Sequence, residues 1–143
     1  MVIPVGPLLA RAPVTLPLGS SLHEAAVLMA KHAIGLVVIT EPGDPRSVAG
    51  VLSERDIIRA VASGMDLGGP VESVAARKVI QVREDSGVGE AARLMREHRI
   101  RHLVVTDLSG ALKGVLSLRN LLGEVQTLRA IIGEHEDHPP ATD

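Results

Sequence analysis

Two stretches decide how this chain is read: "GVLSERDIIRA" at 50–60 and "GVLSLRNLLGE" at 114–124. Both run glycine, apolar, apolar, serine, any residue, arginine, then Asp or Asn, and both continue into an apolar, helix-like run. A phrase written twice in 143 residues calls for a search for a longer repeat. Sliding the chain by 66 lays 20–40 on 86–106, and Ser20, Glu24, Ala25, Ala26, Leu28, Met29, His32, Ile34, Val38 and Thr40 meet identical residues. After the next turn the offset falls to 64, because "EPGDPRSVAG" is two residues longer than "DLSGALKG". Matches on both sides of one length change mark a duplicated unit with a variable loop.

Each copy then predicts the same elements. Ser20 or Ser21, and Ser86 in the second copy, are candidate N-caps, with Glu24 and Glu90 in the first turn. Leu22, Ala25, Ala26, Leu28, Met29 and Ile34 recur at helical spacing, as do their counterparts from Val88 to Ile100. "GLVVIT" and "HLVVTD" are short, apolar and β-branched, which predicts strands; a turn and a second strand, "SVAGVLS" or "ALKGVLS", complete a hairpin. A helix closes each unit, at about 53–63 and 117–132, and a short extended stretch ("APVTLP", "KVIQVR") precedes it. The predicted class is α/β (α+β): two β-α-β-β-α units packed as one pseudo-twofold body. The expected division is 1–64 for the first unit with its N-terminal segment, 65–77 for a linker, 78–132 for the second unit and 133–143 for a flexible tail.

Composition narrows the chemistry. The net charge is −2, so a wholesale electrostatic hold on nucleic acid or anionic membrane is disfavoured. The chain has no cysteine, which excludes disulfides, thiolate metal sites and cysteine nucleophiles. It has no Phe, Tyr or Trp either, so its core is aliphatic and no aromatic platform exists for stacking bases. No apolar run approaches the length of a membrane span. The prolines of "MVIPVGPLLARAP" argue against a signal peptide, and a cytoplasmic location is expected.

The doubled β-α-β-β-α unit, the G-h-h-S-x-x-[DN] junction, the E-A-A-x-L-M helix and the "RHLVVTD" strand together resemble a tandem pair of CBS domains, a Bateman module. The resemblance covers the chain from about Ala12 to Val125. It implies a regulatory module, not an enzyme, that binds an adenosine-containing ligand between the repeats. AMP is the first choice, with ADP, ATP or S-adenosylmethionine as alternatives. It further implies a homodimer. With no effector domain in the chain, the module is expected to act by docking onto another protein. The rival reading is a ligand-free structural module that only mediates oligomerisation.

Carried over residue by residue, the resemblance places the main cleft at Ser53, Arg55 and Asp56, with Val79, Ile80, Ile100, Arg101 and His102 from the opposite unit. A second, weaker cleft takes Ser117, Arg119 and Asn120 with Ala12, Val14, Ile34 and Gly35. The chemistry suits the assignment. A serine-capped helix end favours an anion, a carboxylate accepts the ribose hydroxyls, and arginine offers a forked donor to phosphate. Asn120 lacks the charged acceptor and Gly35 stands where the other unit has Arg101, which ranks the second cleft below the first. His32 and His98 are read as complementing helix C-termini, and Met29 and Met95 as core. No metal site is expected, including at the His135 and His138 of the tail.

Overall fold

The Leu-Val-Val-Ile run at 36–39 and the Leu-Val-Val run at 103–105 are apolar at every position because each strand is buried on both faces. The structure, a computed structural model, describes residues 2–9 and 11–136. In the first half β1 (Thr15–Pro17), α1 (Leu22–His32), β2 (Leu36–Glu41), β3 (Asp44–Ser53) and α2 (Glu54–Ala62) follow in order. The second half repeats them as β4 (Gln81–Arg83), α3 (Val88–His98), β5 (His102–Thr106), β6 (Leu112–Ser117) and α4 (Leu118–Glu136). Each half forms a three-stranded sheet in which the first strand lies parallel to the second and the third runs antiparallel. Even the register repeats: Thr15 pairs Val38 as Gln81 pairs Val104, and Leu36 pairs Ser53 as His102 pairs Ser117. The expected α/β class with two like units is what the chain forms.

Alternation along the strands builds three cores. Val37, Ile39 and Leu52 face α1 and α2 with Leu22, Ala25 and Met29. Leu103, Val105 and Leu116 face α3 and α4 with Ala91, Met95 and Leu121. The residues between them point the other way: Val38, Val104 and Leu112 meet in a third cluster, with Val48, Val51, Val79 and Val115 against it, and join the two sheets. Without aromatic rings the interior relies on close-packed aliphatic side chains, each worth roughly 1.5–3 kcal/mol when fully buried.

The segments outside the repeats cross over. Val5 is fully buried in the core of the second half, its N–H donating to the Ser86 carbonyl at 2.9 Å. Val71, 66 positions later and inside the expected linker, is fully buried in the core of the first half, its N–H donating to the Ser20 carbonyl at 2.8 Å. The N-terminal segment, expected to go with the first unit, thus packs on the second. The linker is a structural strap on the first. These straps explain the glycine that opens the repeated phrase. A Cβ on Gly50 would stand 2.8 Å from the Ala76 carbonyl oxygen, and one on Gly114 would stand 2.9 Å from Leu9 Cδ1.

The straps also correct a cap. In α1, Ser21 rather than Ser20 is the N-cap: its Oγ accepts from Glu24 N–H at 3.0 Å and the Glu24 carboxylate accepts from Ser21 N–H at 3.2 Å. In α3 the N-cap is Gly87, without a side-chain bond, and Ser86 lies one residue early. A Cβ at Gly87 would meet Val2 Cγ1 at 2.8 Å, and the Ile3 carbonyl accepts from Val88 N–H. The N-terminal strap occupies the place of a capping side chain. At the C-terminus α4 runs through residues 133–136, which the sequence placed in the tail; 137–143, including His138, lie outside the described residues.

Candidate functional site

Each strand-to-helix junction folds on its own serine. At the first, Ser53 is the N-cap of α2; its Oγ accepts from Asp56 N–H at 3.2 Å. Asp56 Oδ2 in turn accepts from Ser53 N–H at 2.8 Å and Ser53 Oγ–H at 2.9 Å. At the second, Ser117 Oγ accepts from Asn120 N–H at 3.1 Å, and Asn120 Oδ1 accepts from Ser117 N–H at 3.1 Å and Ser117 Oγ–H at 2.6 Å. Because a backbone N–H donates only to an acceptor, the Asn120 amide is oriented with its oxygen inward. At the matched positions Asp56 and Asn120 the junctions therefore differ in the atom left over, a carboxylate oxygen on Asp56 and an NH2 donor on Asn120.

The helix ends themselves are less available to an anion than the sequence suggests. Glu54 N–H donates to the Gly35 carbonyl at 2.9 Å and Leu118 N–H to the Arg101 carbonyl at 2.7 Å. Asp56 and Asn120 N–H are taken by the serine caps. An anion at either junction would have to be held chiefly by side-chain cations.

Two clefts lie between the halves. The first, about 300 Å³, gathers Ser53, Arg55 and Asp56 with Ile80, Ile100, Arg101 and His102, as expected from the resemblance. Val79 is the exception: it turns into the central core with Val38 and Val104, and its neighbours Lys78 and Ile80 line the cleft instead. The alternation of an extended segment dictates that swap. Arg59, Glu54 and Arg99 also line it and were not anticipated. The second, about 850 Å³, gathers all seven expected residues: Ala12, Val14, Ile34 and Gly35 from one half, Ser117, Arg119 and Asn120 from the other. It is the roomier of the two, whereas the ranking from sequence rested on charge. Both volumes fall in the range of small-molecule sites.

Gly35, Leu36, Glu54, Arg101 and His102 line both clefts, forming a shared wall. Gly35 is small for a reason the sequence did not show. A Cβ there would meet His102 Cε1 at 3.3 Å and Glu54 Oε1 at 3.4 Å. Burial pushes the His102 pKa below the ordinary imidazole value; the Glu54 carboxylate pulls it back up and Arg101 adds to the lowering. The sign for stability follows. The unfolded chain binds this proton more readily than the native one, so nothing is lost above the unfolded pKa of about 6.5, and stability falls as pH drops from there through the depressed folded value. A phosphate beside the ring favours the charged form. Were a phosphate-bearing ligand to bind here, its binding should take up a proton near and below neutral pH, measured as buffer-dependent heat in calorimetry. His102→Gln should abolish the part of that uptake not due to the phosphate; an unchanged heat would remove His102 from the site.

The family model for the CBS domain matches residues 5–63 and again 71–127. The chain belongs to the CBS-domain family. The solved CBS domain protein PAE2072 from Pyrobaculum aerophilum, complexed with AMP, superposes with a TM-score of 0.81 at 42% identity, covering 87% of this chain and 99% of that one. A 17.7 kDa protein of Acidianus ambivalens is 36% identical over 101 residues, 71% of this chain and 60% of its own length. The CBS domain-containing protein YhcV of Bacillus subtilis is 32% identical over 102 residues, 71% of this chain and 70% of its own. The chain thus spans only part of these two relatives, 60% and 70% of their lengths. The CBS domain pair of MJ0100, with 5′-methylthioadenosine and S-adenosylmethionine, shares the fold at 24% identity and a TM-score of 0.78.

Proposed function

We propose that this CBS pair is a non-catalytic sensor that binds an adenosine-containing nucleotide between its repeats and conveys occupancy to a partner protein. The observation that carries the reading is the Ser53–Asp56 junction. The capping box holds Oδ2, and Oδ1 accepts nothing among the described residues, which suits it to the hydroxyls of a ribose. Val51, Ile80, Ile100 and Val104 supply aliphatic walls for a purine, and Arg55 and Arg101 are donors for phosphate. The AMP complex of the 42%-identical Pyrobaculum protein supports the same ligand class. AMP is the reference ligand on that ground, with ADP, ATP and S-adenosylmethionine as the alternatives.

A homodimer is part of the proposal. Ile58 and Val61 of α2 and Leu122, Ile131 and Ile132 of α4 are at least half exposed. No described helix is long and apolar enough to cross a membrane, and no cluster of three metal-ligating residues occurs among the described residues. A cytoplasmic location remains our reading of the cysteine-free composition. Any ligand effect on a partner requires different affinity for two states of the module.

The test is calorimetric titration with adenosine, AMP, ADP, ATP, S-adenosylmethionine and NAD. A chain without Trp, Tyr or Phe is almost blind at 280 nm, so co-purified nucleotide is also visible at 260 nm once mass spectrometry excludes nucleic acid. Saturable binding of one of these ligands is expected. Silence from all of them, on protein shown free of bound nucleotide, leaves the ligand-free assembly module in its place.

A further inference from the structure

Five cations surround the first cleft: Arg55 and Arg59 one turn apart on α2, Lys78 ahead of β4, Arg99 at the end of α3, and Arg101 entering β5. All five residues are exposed, and none makes a side-chain hydrogen bond or ion pair among the described residues. The ion pairs that do form, Arg46–Asp107, Arg83–Asp85, Arg93–Glu97 and Lys113–Glu84, use other residues. Against the five stand two carboxylates in the cleft, Glu54 and Asp56.

The duplicated half supplies an internal control. At the equivalent positions Lys78 becomes Ala12, Arg99 becomes Ala33, Arg101 becomes Gly35 and Arg59 becomes Gly123; only Arg55 keeps an arginine, Arg119. Both halves nevertheless share strand order and register, and the left-handed helix ends at Ala33 and Arg99 have φ of 52° and 54°. The fold therefore forms without those four charges. Crowding unpaired like charges into one cleft is unfavourable unless something anionic joins them. The helix-end amides are largely consumed by capping, so the cations are the phosphate-binding apparatus.

Set against the carboxylates of Glu54 and Asp56, the five cations leave a net charge of about +3, and a phosphate monoester, at about −1.5 to −2, leaves cationic charge unbalanced. We propose that the first cleft selects a nucleoside di- or triphosphate over the monophosphate, with Arg59, Lys78 and Arg99 holding the phosphates beyond the first. This rests on the reading that an adenosine-containing nucleotide occupies the cleft. The second cleft, with Arg11, Arg101 and Arg119 against Glu54, has a net charge of about +2, which a monophosphate alone balances, and Arg11 Nη1 is already bonded to the His32 carbonyl at 2.9 Å.

The test titrates adenosine, AMP, ADP, ATP and inorganic tripolyphosphate, without divalent metal, into the wild type and into Lys78→Ala/Arg99→Ala. That double change copies into the first cleft the alanines of the second. We expect ATP to bind at least tenfold more tightly than AMP, and its affinity to fall more steeply with salt. The double variant should weaken ATP at least tenfold and AMP less than threefold. If that variant does not fold, Lys78→Gln/Arg99→Gln and the wild-type salt dependence answer the same question. Equal affinity for AMP and ATP, or equal loss of both in the variant, overturns the selectivity and leaves adenosine binding intact. Tripolyphosphate binding with every adenosine ligand silent keeps the polyanion grip and overturns the adenosine reading. Silence from all five overturns both.

Discussion

Asp56→Ala should weaken adenosine-ligand binding by about 1.5–3 kcal/mol, roughly ten- to a hundredfold in Kd, while Asn120→Ala changes it less than threefold. The two residues hold matched positions. Each uses one oxygen to accept from the N–H and Oγ–H of its serine, at distances between 2.6 and 3.1 Å. Alanine at either site removes the same cap, for a similar loss of stability of about 0.5–2 kcal/mol. Thermal unfolding therefore measures the cap, and calorimetry on the folded protein measures the ligand. What separates the variants is the outward atom: a carboxylate oxygen takes a ribose hydroxyl as a charged acceptor, and an amide NH2 does not. Asp56→Asn isolates that atom, because the amide oxygen retains the cap, and it should lose most of the affinity with little loss of stability. Asn120→Asp should tighten binding at the second cleft. Equal losses from the two alanine variants would refute the asymmetry between the clefts.

Repetition made most of this architecture readable before any coordinates. Residues matched at offsets of 66 and 64 landed in identical registers, and the junctions at Ser53 and Ser117 formed where the repeated phrase placed them. What the sequence hid lies in contacts between distant segments. Nothing in the strands "SVAGVLS" and "ALKGVLS" says why Gly50 and Gly114 must be glycine; the strap at Ala76 and the side chain of Leu9 are what exclude a Cβ. Ser86 has the right type for a cap, but an arriving N-terminal strap displaces that role onto Gly87. Val79 fails as a cleft residue through one step of strand alternation, a parity that a short extended run of three apolar-flanked residues does not reveal. Arg59 and Arg99 carry no signal of their own in the sequence, since only the packing of one half against the other brings them to a common rim.

Val5→Asp should unfold the protein or bring it close to unfolding, although the site lies near the chain terminus, where substitutions are ordinarily tolerated. Val5 has no solvent exposure and packs among Val82, Ala91, Met95 and Leu103. Its strap is fixed on both sides, with Gly6 N–H donating to the Glu84 carbonyl at 3.0 Å and Val88 N–H to the Ile3 carbonyl at 2.9 Å. The strap therefore has little room to lift a carboxylate into water. An unpaired buried charge costs several kcal/mol even after relaxation, against a total stability of about 5–15 kcal/mol for a domain. Val5→Ala, which only loses apolar contact, should cost about 1.5–3 kcal/mol. Val71→Ala should cost the same, because Val71 is its counterpart on the first half and equally buried. Urea titrations followed by far-ultraviolet circular dichroism suit a chain with no aromatic fluorophore. Since the halves share the Val38–Val104–Leu112 core, each variant should shift one cooperative transition rather than split it in two. A midpoint for Val5→Asp within error of the wild type would mean that the N-terminal strap is not part of the folded core, and that the second half completes its interior without it.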